Sequence, residues 1–514
     1  MDIDTLAKLS KQVSSTRSRN AKIVLVGELL RRVSDKELPI ATNFLAGRLR
    51  QGKIGLGPRM VRRTLENLPP IQEGKPPELL KVDQLFSEIA ATQGRGSNQR
   101  RQELLATLLH PTNTTTQKFL AGLILGEVRQ GALEGILIES LAFADSTDSA
   151  VVRRAVMLTG DIAEVASVSR SEGAVGLRQF EIELFRPIQP MLAEPSEDVE
   201  QAINQIGSAV FEYKLDGIRI QVHKSGEEVR VFTRHLNDVT ACVPEIASQV
   251  RDLPVQQAIL DGEVLAVRSD GWPYPFQTTM KRFGRSQAIH EIESSLPLSS
   301  YFFDCLMLEG QSMLDESTRR RHEALADCVP NNLIIPRIIT GNFKEASNFL
   351  AAATNAGHEG VMAKELDANY VAGGRGQNWL KIKPSHTLDL VVLAAEWGSG
   401  RRQGYLSNLH LGARDANSNE FIMIGKTFKG LTDQTLAWQT EQLLSRETQR
   451  DKSTVHVRPE LVVEIVFNEV QTSPHYASGY ALRFARVKSY RKDKGPEQAD
   501  TIATIAELHQ KRAG

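Results

Sequence analysis

From the amino terminus to about residue 180, apolar residues recur at spacings of three and four. Examples are Ile23, Leu25, Val26, Leu29 and Leu30, then Leu104, Leu105, Leu108 and Leu109. That period marks one stripe of an amphipathic helix, so the region reads as helical. Its breaks are short and carry Gly and Pro: LGPRM at 56–60, LPPIQEGKPPE at 68–78 and HPTNTT at 110–115. The stretch GRGSNQRRQ at 94–102 is polar and basic and reads as exposed. The loop GEVRQGALEG at 126–135 sets three glycines and Arg129 between two helical patterns. Glycine lets a backbone approach a ligand closely, and bare amide groups suit phosphate oxygens. A Gly-rich turn between helices explains the loop equally well.

The pattern changes at 181–196, EIELFRPIQPMLAEPS, where prolines at 187, 190 and 195 break the helical period. This reads as a linker into a second domain. From about 197 to 384 the period switches to two. IRIQVHK, SGEE and VRVFTRH read as strand, turn, strand, a β-hairpin. AILDGEVLAVRSDGW (258–272), SYFFDCLMLEG (300–310), EGVMAKEL (359–366) and NWLKIKPS (378–385) read as further strands, with the helical STRRRHEALADCV between them. This is an α+β region built mainly on antiparallel strands. From about 386, LDLVVLAAEWGSG, NEFIMIGKTF and LVVEIVFNEVQ are strands around one helix, LTDQTLAWQTEQLLSR. About 130 residues of that kind suit a small barrel such as an OB-fold. IMIGKTFKG superficially suggests a phosphate-binding P-loop, but that motif needs a glycine where Glu420 stands.

Composition adds bounds. The 514 residues suggest roughly three domains. The formal net charge is zero, so any basic surface is local. Cys242, Cys305 and Cys328 are scattered with no CxxC pair, which argues against structural zinc and a disulfide framework. The start MDIDTLAKLSKQ lacks the basic and apolar segments of a signal peptide, and no apolar run is long enough to span a bilayer. The expectation is a cytoplasmic, prokaryotic protein in a reducing compartment, monomeric and away from membranes.

The chemistry concentrates in the second region. In FEYKLDGIR (211–219), Lys214 ends an apolar alternating run, and Glu212 lies on the same strand face. A lysine held in a partly desolvated pocket near other cations has its pKa lowered and becomes a nucleophile. Glu212 can accept a hydrogen bond from an adenine amine or pair with the lysine. Asp216 and Gly217 make the turn, Arg219 returns toward the site, and Arg234 ends the next strand. Asp261 and Glu263 are salt-bridge partners, or ligands for a ribose hydroxyl or a hard metal ion. Phe303 is core by type, or a base-stacking ring in a contact worth about 1–3 kcal/mol. Glu359 opens another strand. Lys381 and Lys383 share a face and repel unless an anion, naturally a phosphate, lies between them. Together these residues describe a nucleotide-phosphate pocket with a nucleophilic lysine and a Mg²⁺ site.

At this point the chain closely resembles the ATP-dependent DNA ligases. Six motifs appear in register: EYKLDGIR (212–219), LDGEV (260–264), YFFDCL (301–306), EGVMAK (359–364), WLKIKPS (379–385) and RFARVKSYRKDK (483–494). The amino-terminal region resembles that family's helical DNA-binding domain, RPIQPMLA its entry into the adenylation domain, and GEVRQGALEG its DNA-contacting turn. The resemblance implies an all-α DNA-binding domain over 1–186, an α+β adenylation domain over 187–384 and an OB-fold domain over 385–514. It implies ATP and Mg²⁺ as cofactors, with AMP carried on Lys214. Glu212 would read adenine and Phe303 would stack on it. Arg219, Arg234 and Arg375 are expected around the ribose, the phosphate or the 5′-phosphate of a nick. Glu263 would hold the ribose, Glu263 and Glu359 the metal, and Lys381 and Lys383 the α-phosphate. Arg486, Arg491, Asp493 and Lys494 of the last motif would face pyrophosphate during lysine adenylation. The substrate would be nicked double-stranded DNA, bound through phosphates and the minor groove independently of sequence.

Three relatives of this chemistry fit less well. An RNA ligase or capping enzyme shares the lysine motif but does not commonly carry a helical region like 1–180. An NAD-dependent ligase needs a four-cysteine zinc site that three scattered cysteines cannot supply. A non-catalytic ligase-like clamp predicts damage in the lysine motifs, and both are intact.

Overall fold

In the computed structural model the described residues are all but 70–74, 129, 131–133, 281, 284–295, 372–374, 385, 417, 419 and 514, with backbone only at 375–377, 401 and 511–513. The chain forms two compact units. The first comprises Met1–Ser196, Ala202–Phe349 and Met362–Lys381, and the second Glu197–Gln201, Leu350–Val361 and Ile382–Gly514.

The expected helical region is present as α1 (Ile3–Ser15), α2 (Arg19–Arg32), α3 (Leu38–Leu45), α4 (Pro58–Glu66), α5 (Leu79–Ala91), α6 (Ser97–Leu109), α7 (Thr114–Leu125), α8 (Glu134–Asp145), α9 (Ser149–Thr159) and α10 (Ile162–Leu177). Asp2, Ser18, Asn113, Asp148 and Asp161 cap α1, α2, α7, α9 and α10 by accepting from backbone N–H groups that a helix start leaves unpaired. The apolar stripes meet in one core, in which Phe44 and Phe86 pack edge to face at 5.9 Å.

One reading of this region changes. The stretch 94–102 is not wholly exposed. Gly94 and Gly96 take positive φ, α6 begins at Ser97, and Arg101 turns inward to donate to the carbonyls of Thr92 (2.6 Å) and Ile89 (3.4 Å). An arginine's long stem can lie along the protein while its head caps a neighbouring helix end, which a charge count does not register. In the 126–135 loop, Gly126 closes α7 in the left-handed conformation, and Gln130 is buried and donates to the carbonyl of Leu45. Arg129 lies outside the described residues.

The proline-rich 181–196 stretch is tied at four points along its middle. Backbone N–H groups donate from Gln189 to the Met157 carbonyl (2.9 Å), from Phe185 to Nδ1 of His223 (2.9 Å), from Ile188 to Oε1 of Gln221 (2.8 Å) and from Met191 to the Tyr370 hydroxyl (3.0 Å). An apolar cluster joins Met157 and Leu158 of α9 to Ile188, Met191, Leu215, Phe303 and Trp379. Its last five residues form β1 (Leu192–Ser196). Proline marks the break in helical period but says nothing of what the extended chain packs against.

The other strands of this half are β2 (Ala209–Lys214), β3 (Ile218–Ser225), β4 (Glu228–Thr233), β5 (Gln257–Ala266), β6 (Leu298–Leu308), β7 (Gln311–Ser312), β8 (Arg337–Thr340), β9 (Gly360–Glu365) and β10 (Arg375–Ile382). They form two five-stranded sheets, ordered β1-β10-β9-β2-β8 and β4-β3-β5-β6-β7. The expected hairpin is β3 and β4, paired from Ile220 with Thr233 to Ser225 with Glu228, around Gly226 at φ 57°.

The second unit is strand-rich: β11 (His386–Trp397), β12 (Leu406–Arg414), β13 (Phe421–Thr427), β14 (Glu447–Arg450), β15 (Thr454–Val457), β16 (Val462–Phe467), β17 (Glu469–Thr472), β18 (Tyr480–Arg483) and β19 (Arg486–Tyr490). Strand β11 pairs with β12, β15 and β16, and its register with β12 slips at Val392/Ala394 and Glu396/Trp397, the bulges that bend a long strand around a small core. Leu390, Val392, Leu409, Ile424, Leu436, Ile465 and Val487 fill that core. The IMIGKTFKG segment begins in β13 of this sheet.

Candidate active site

Lys214 stands at the end of β2, partly buried, where the chain turns to β3. The turn needs glycine at 217. A Cβ there would meet the Val264 carbonyl at 2.4 Å and Cγ of Glu263 at 2.9 Å. The lysine turn therefore lies directly against Glu263 on β5. Arg219 is the cross-strand partner of Glu263.

Two positions before the lysine, Glu212 is 1% exposed. Its Oε2 accepts from Nζ of Lys364 at 2.6 Å. Its Oε1 lies 3.3 Å from Nε2 of His322 but makes no hydrogen bond. Burial raises the Glu212 carboxyl above its ordinary value, with the Lys364 charge opposing. Burial, reinforced by the same lysine, pushes His322 down to about 3, so at neutral pH it is uncharged and does not pair as an ion. Lys364 is itself buried. It donates to the Phe303 carbonyl at 3.2 Å, with Nζ 4.5 Å from the Phe303 ring and 4.3 Å from the Trp379 ring. Phe303 and Trp379 meet edge to face at 6.2 Å. A buried carboxylate oxygen with no donor beside two large rings matches what an adenine amine would complete.

Arg219 belongs to a second buried network. It donates to Oδ2 of Asp261 (2.7 Å), the Met191 carbonyl (2.6 Å) and the Tyr370 hydroxyl (3.2 Å), and that hydroxyl donates to Oδ2 of Asp261 at 2.7 Å. Asp261, one of the two carboxylates of LDGEV, is thus satisfied by protein, while Glu263 faces the lysine turn. A third pair, Arg321 with Asp304 at 2.7 Å, is fully buried and braces β6 against the helix Thr318–Cys328.

The remaining expected residues are placed as follows. Arg234 is exposed just beyond β4. Arg375 opens β10, and its side chain lies outside the described residues. Lys381 lies near the end of the same strand, partly buried. Glu359 and Lys383 belong to the second unit and pair at 2.5 Å. Between them Gly360, at φ 143°, passes so close to β10 that a Cβ would meet the Ile382 carbonyl at 2.2 Å. Among the described residues no group of three or more His, Cys, Asp or Glu side chains is arranged to hold a metal ion. No helix of the described residues is long and apolar enough to cross a membrane.

Lys364, Tyr370, Trp379 and His322 escaped the reading of the residues one by one. Lys364 and Trp379 lie inside EGVMAK and WLKIKPS, and a lysine in an otherwise apolar strand was the available signal. Nothing in the sequence pointed to Tyr370 or His322.

In the last motif, Arg491 forms a two-point pair with Asp493 (3.0 and 2.6 Å) and donates to Asp389, as does Lys494. Arg483 pairs with Glu469 at 2.7 Å, and Arg486 opens β19.

Lys214 thus ends β2 at a turn packed against Glu263, two residues after the buried Glu212. Three family descriptions match the chain: the DNA ligase N terminus over residues 61–142, the ATP dependent DNA ligase domain over 190–383, and the ATP dependent DNA ligase C terminal region over 402–494. The probable DNA ligase of Anaeromyxobacter sp. (strain Fw109-5) is 49% identical over 513 residues, covering 100% of this chain and 99% of that protein. The probable DNA ligase of Sorangium cellulosum (strain So ce56) is 46% identical over 511 residues, covering 99% and 95%. The solved structure named Pmar-Lig_PreS3 shares the fold at TM-score 0.62 and 17% identity, covering 95% of this chain and 99% of that one. The chain belongs to the ATP-dependent DNA ligase family. It is a DNA ligase that uses ATP, with an N-terminal helical region, a central adenylation domain and a C-terminal strand-rich region.

Proposed function

We propose that this ligase seals nicks in duplex DNA through AMP carried on Lys214. The lysine amine forms a P–N bond to the α-phosphorus of ATP as the P–O bond to pyrophosphate breaks, and the ammonium proton is lost. AMP then passes to the 5′-phosphate of the nick. The 3′-hydroxyl displaces it and forms the phosphodiester bond. The observation that supports this reading is the turn after Lys214, whose Gly217 packs against Glu263, together with the buried Glu212 two residues before the lysine, whose Oε1 has no hydrogen bond. In this reading that oxygen accepts from the adenine amine, Phe303 flanks the base, and Glu263 takes the ribose. Lys381 and Lys383 hold the α-phosphate. Arg234 and Arg375 serve phosphates, and Arg219 positions the pocket through Asp261 and Tyr370.

Mg²⁺ demands few protein ligands and fills its shell with water and substrate phosphates. Glu263 and Glu359 suit that sparse role and would hold the ion, whose charge offsets that gathering on the phosphates. We assign residues 1–186 to DNA binding, 187–384 to adenylation and 385–514 to an OB-fold that presents the last motif, in a monomeric, cytoplasmic enzyme. The test is sealing of a nicked DNA duplex and of the same nick in RNA, with ATP and Mg²⁺. Sealing of DNA alone supports the assignment. Equal or preferred sealing of RNA refutes it.

A further inference from the structure

Asp389 lies on β11, six positions beyond Lys383, in none of the six motifs. Its surroundings are unusually complete. Asp389 pairs across the sheet with Glu464 of β16, and Glu464 in turn with Ser489 of β19. The Asp389 carboxylate accepts from Nη1 of Arg491 at 3.1 Å and from Nζ of Lys494 at 2.5 Å, both at Oδ2. Its backbone holds a third point of the same segment. The Asp389 N–H donates to Oδ2 of Asp500 at 2.7 Å, and the Asp500 N–H donates to the Asp389 carbonyl at 2.8 Å. One residue therefore fastens the loop between β19 and the C-terminal helix Ile502–Ala513 at 491, 494 and 500.

The consequence for the two cations is specific. Asp493 takes Nε and Nη2 of Arg491 while Asp389 takes Nη1, so both edges of the planar guanidinium are fixed. Lys494 is tethered by one bond and keeps two of its three N–H donors for another acceptor. Both cations stay partly exposed, at 27% and 29% of their side-chain surface. The main-chain bonds to Asp500 fix where the loop runs, and the carboxylate then fixes the two cations on it.

We propose that Asp389 is a positioning residue for the first chemical step, holding Arg491 and Lys494 in the arrangement that receives the β- and γ-phosphates of ATP. This rests on the reading that Lys214 is adenylated from ATP with the last motif facing pyrophosphate. Asp389 acts through the two cations and touches no reacting atom. Once AMP is on the DNA, the requirement ends.

The experiment compares wild type, Asp389→Asn, Arg491→Ala and the double variant. Lys214 labelling from α-labelled ATP is measured across ATP concentration. Sealing of a duplex with a preformed 5′-adenylylated nick is measured without ATP. Affinity for a non-hydrolysable ATP analogue is measured in a Lys214→Ala background. Asp389→Asn should slow labelling and weaken analogue binding by about tenfold each, and leave sealing of the preformed nick within about twofold. The double variant should lose less than the product of the two single losses, because residues acting through one another are not additive and only the Lys494 share of the Asp389 effect remains once Arg491 is gone. Equal loss of labelling and preformed-nick sealing, unchanged labelling, or additive effects in the double variant would each overturn the proposal. Wild type that takes up no label would instead sink the lysyl-AMP reading on which it rests.

Discussion

The buried network around Glu212 and the last motif solve the same problem, keeping charged groups in place, by opposite means. Glu212, Lys364, Arg219 and Asp261 are held by buried partners, with Phe303, Trp379 and Tyr370 around them. Arg491, Lys494 and Asp493 sit at the surface of a strand-rich unit in pairs that water can reach. Desolvated pairs are expensive to rearrange, whereas exposed ones exchange partners at little cost. The first region is built to hold one arrangement, and the second to exchange partners at little cost.

Mutations should separate the two regions by whether folding or chemistry suffers. The largest effect is expected from Lys364→Met. It strands the buried Glu212 carboxylate without its cation, and removing one partner of a buried pair costs about 3–5 kcal/mol. Denaturant unfolding should show that loss alongside loss of Lys214 labelling. Stability near wild type would mean that the pair is not held as tightly as its geometry implies.

A smaller effect comes from His223, which secures the linker to β3. Its Nδ1 accepts from the Phe185 N–H, and its Nε2 donates to Oε1 of Gln221 at 2.9 Å, so only the neutral ring fits. Burial pushes it down to about 3 from an ordinary 6.5. Below pH 6.5 the unfolded chain takes up a proton that the folded ring refuses, so stability falls as pH drops from 6.5 toward 3. At pH 5 that amounts to about 2 kcal/mol from this one group. His223→Gln should flatten the pH 7 to pH 5 difference by that amount in denaturant unfolding, and protection against hydrogen exchange at 185–191, corrected for the intrinsic rate, should fall with acid in wild type only.

The smallest change in stability is expected from Arg491→Ala. It should leave thermal unfolding near wild type while strongly slowing Lys214 labelling. A large drop in melting temperature would contradict the contrast between the two regions.

The sequence made the strands and motifs legible because they obey local rules. Period-two runs, a Ser-Gly turn and a lysine in an apolar strand point to β2, β3, β4 and Lys214 without any knowledge of distant contacts. What stayed hidden depends on separations of many residues. The Tyr370 hydroxyl that bridges Arg219 and Asp261 comes from a loop about 150 positions downstream, and no spacing rule connects them. The inward turn of Arg101 and the fastening of the 181–196 linker were invisible for the same reason. Each is a polar or extended segment whose partner lies on another element. Lys364 stood in view within EGVMAK, but one lysine in an alternating strand does not reveal that Glu212 is its partner.

The most direct test of the account is covalent labelling. Purified protein is first treated with pyrophosphate to discharge any bound AMP, then incubated with α-labelled ATP and Mg²⁺. The label should appear on wild type through an acid-labile bond, map to the peptide containing Lys214, and be absent from Lys214→Ala. Label retained by Lys214→Ala, or none on wild type, would contradict the assignment of Lys214 as the nucleophile.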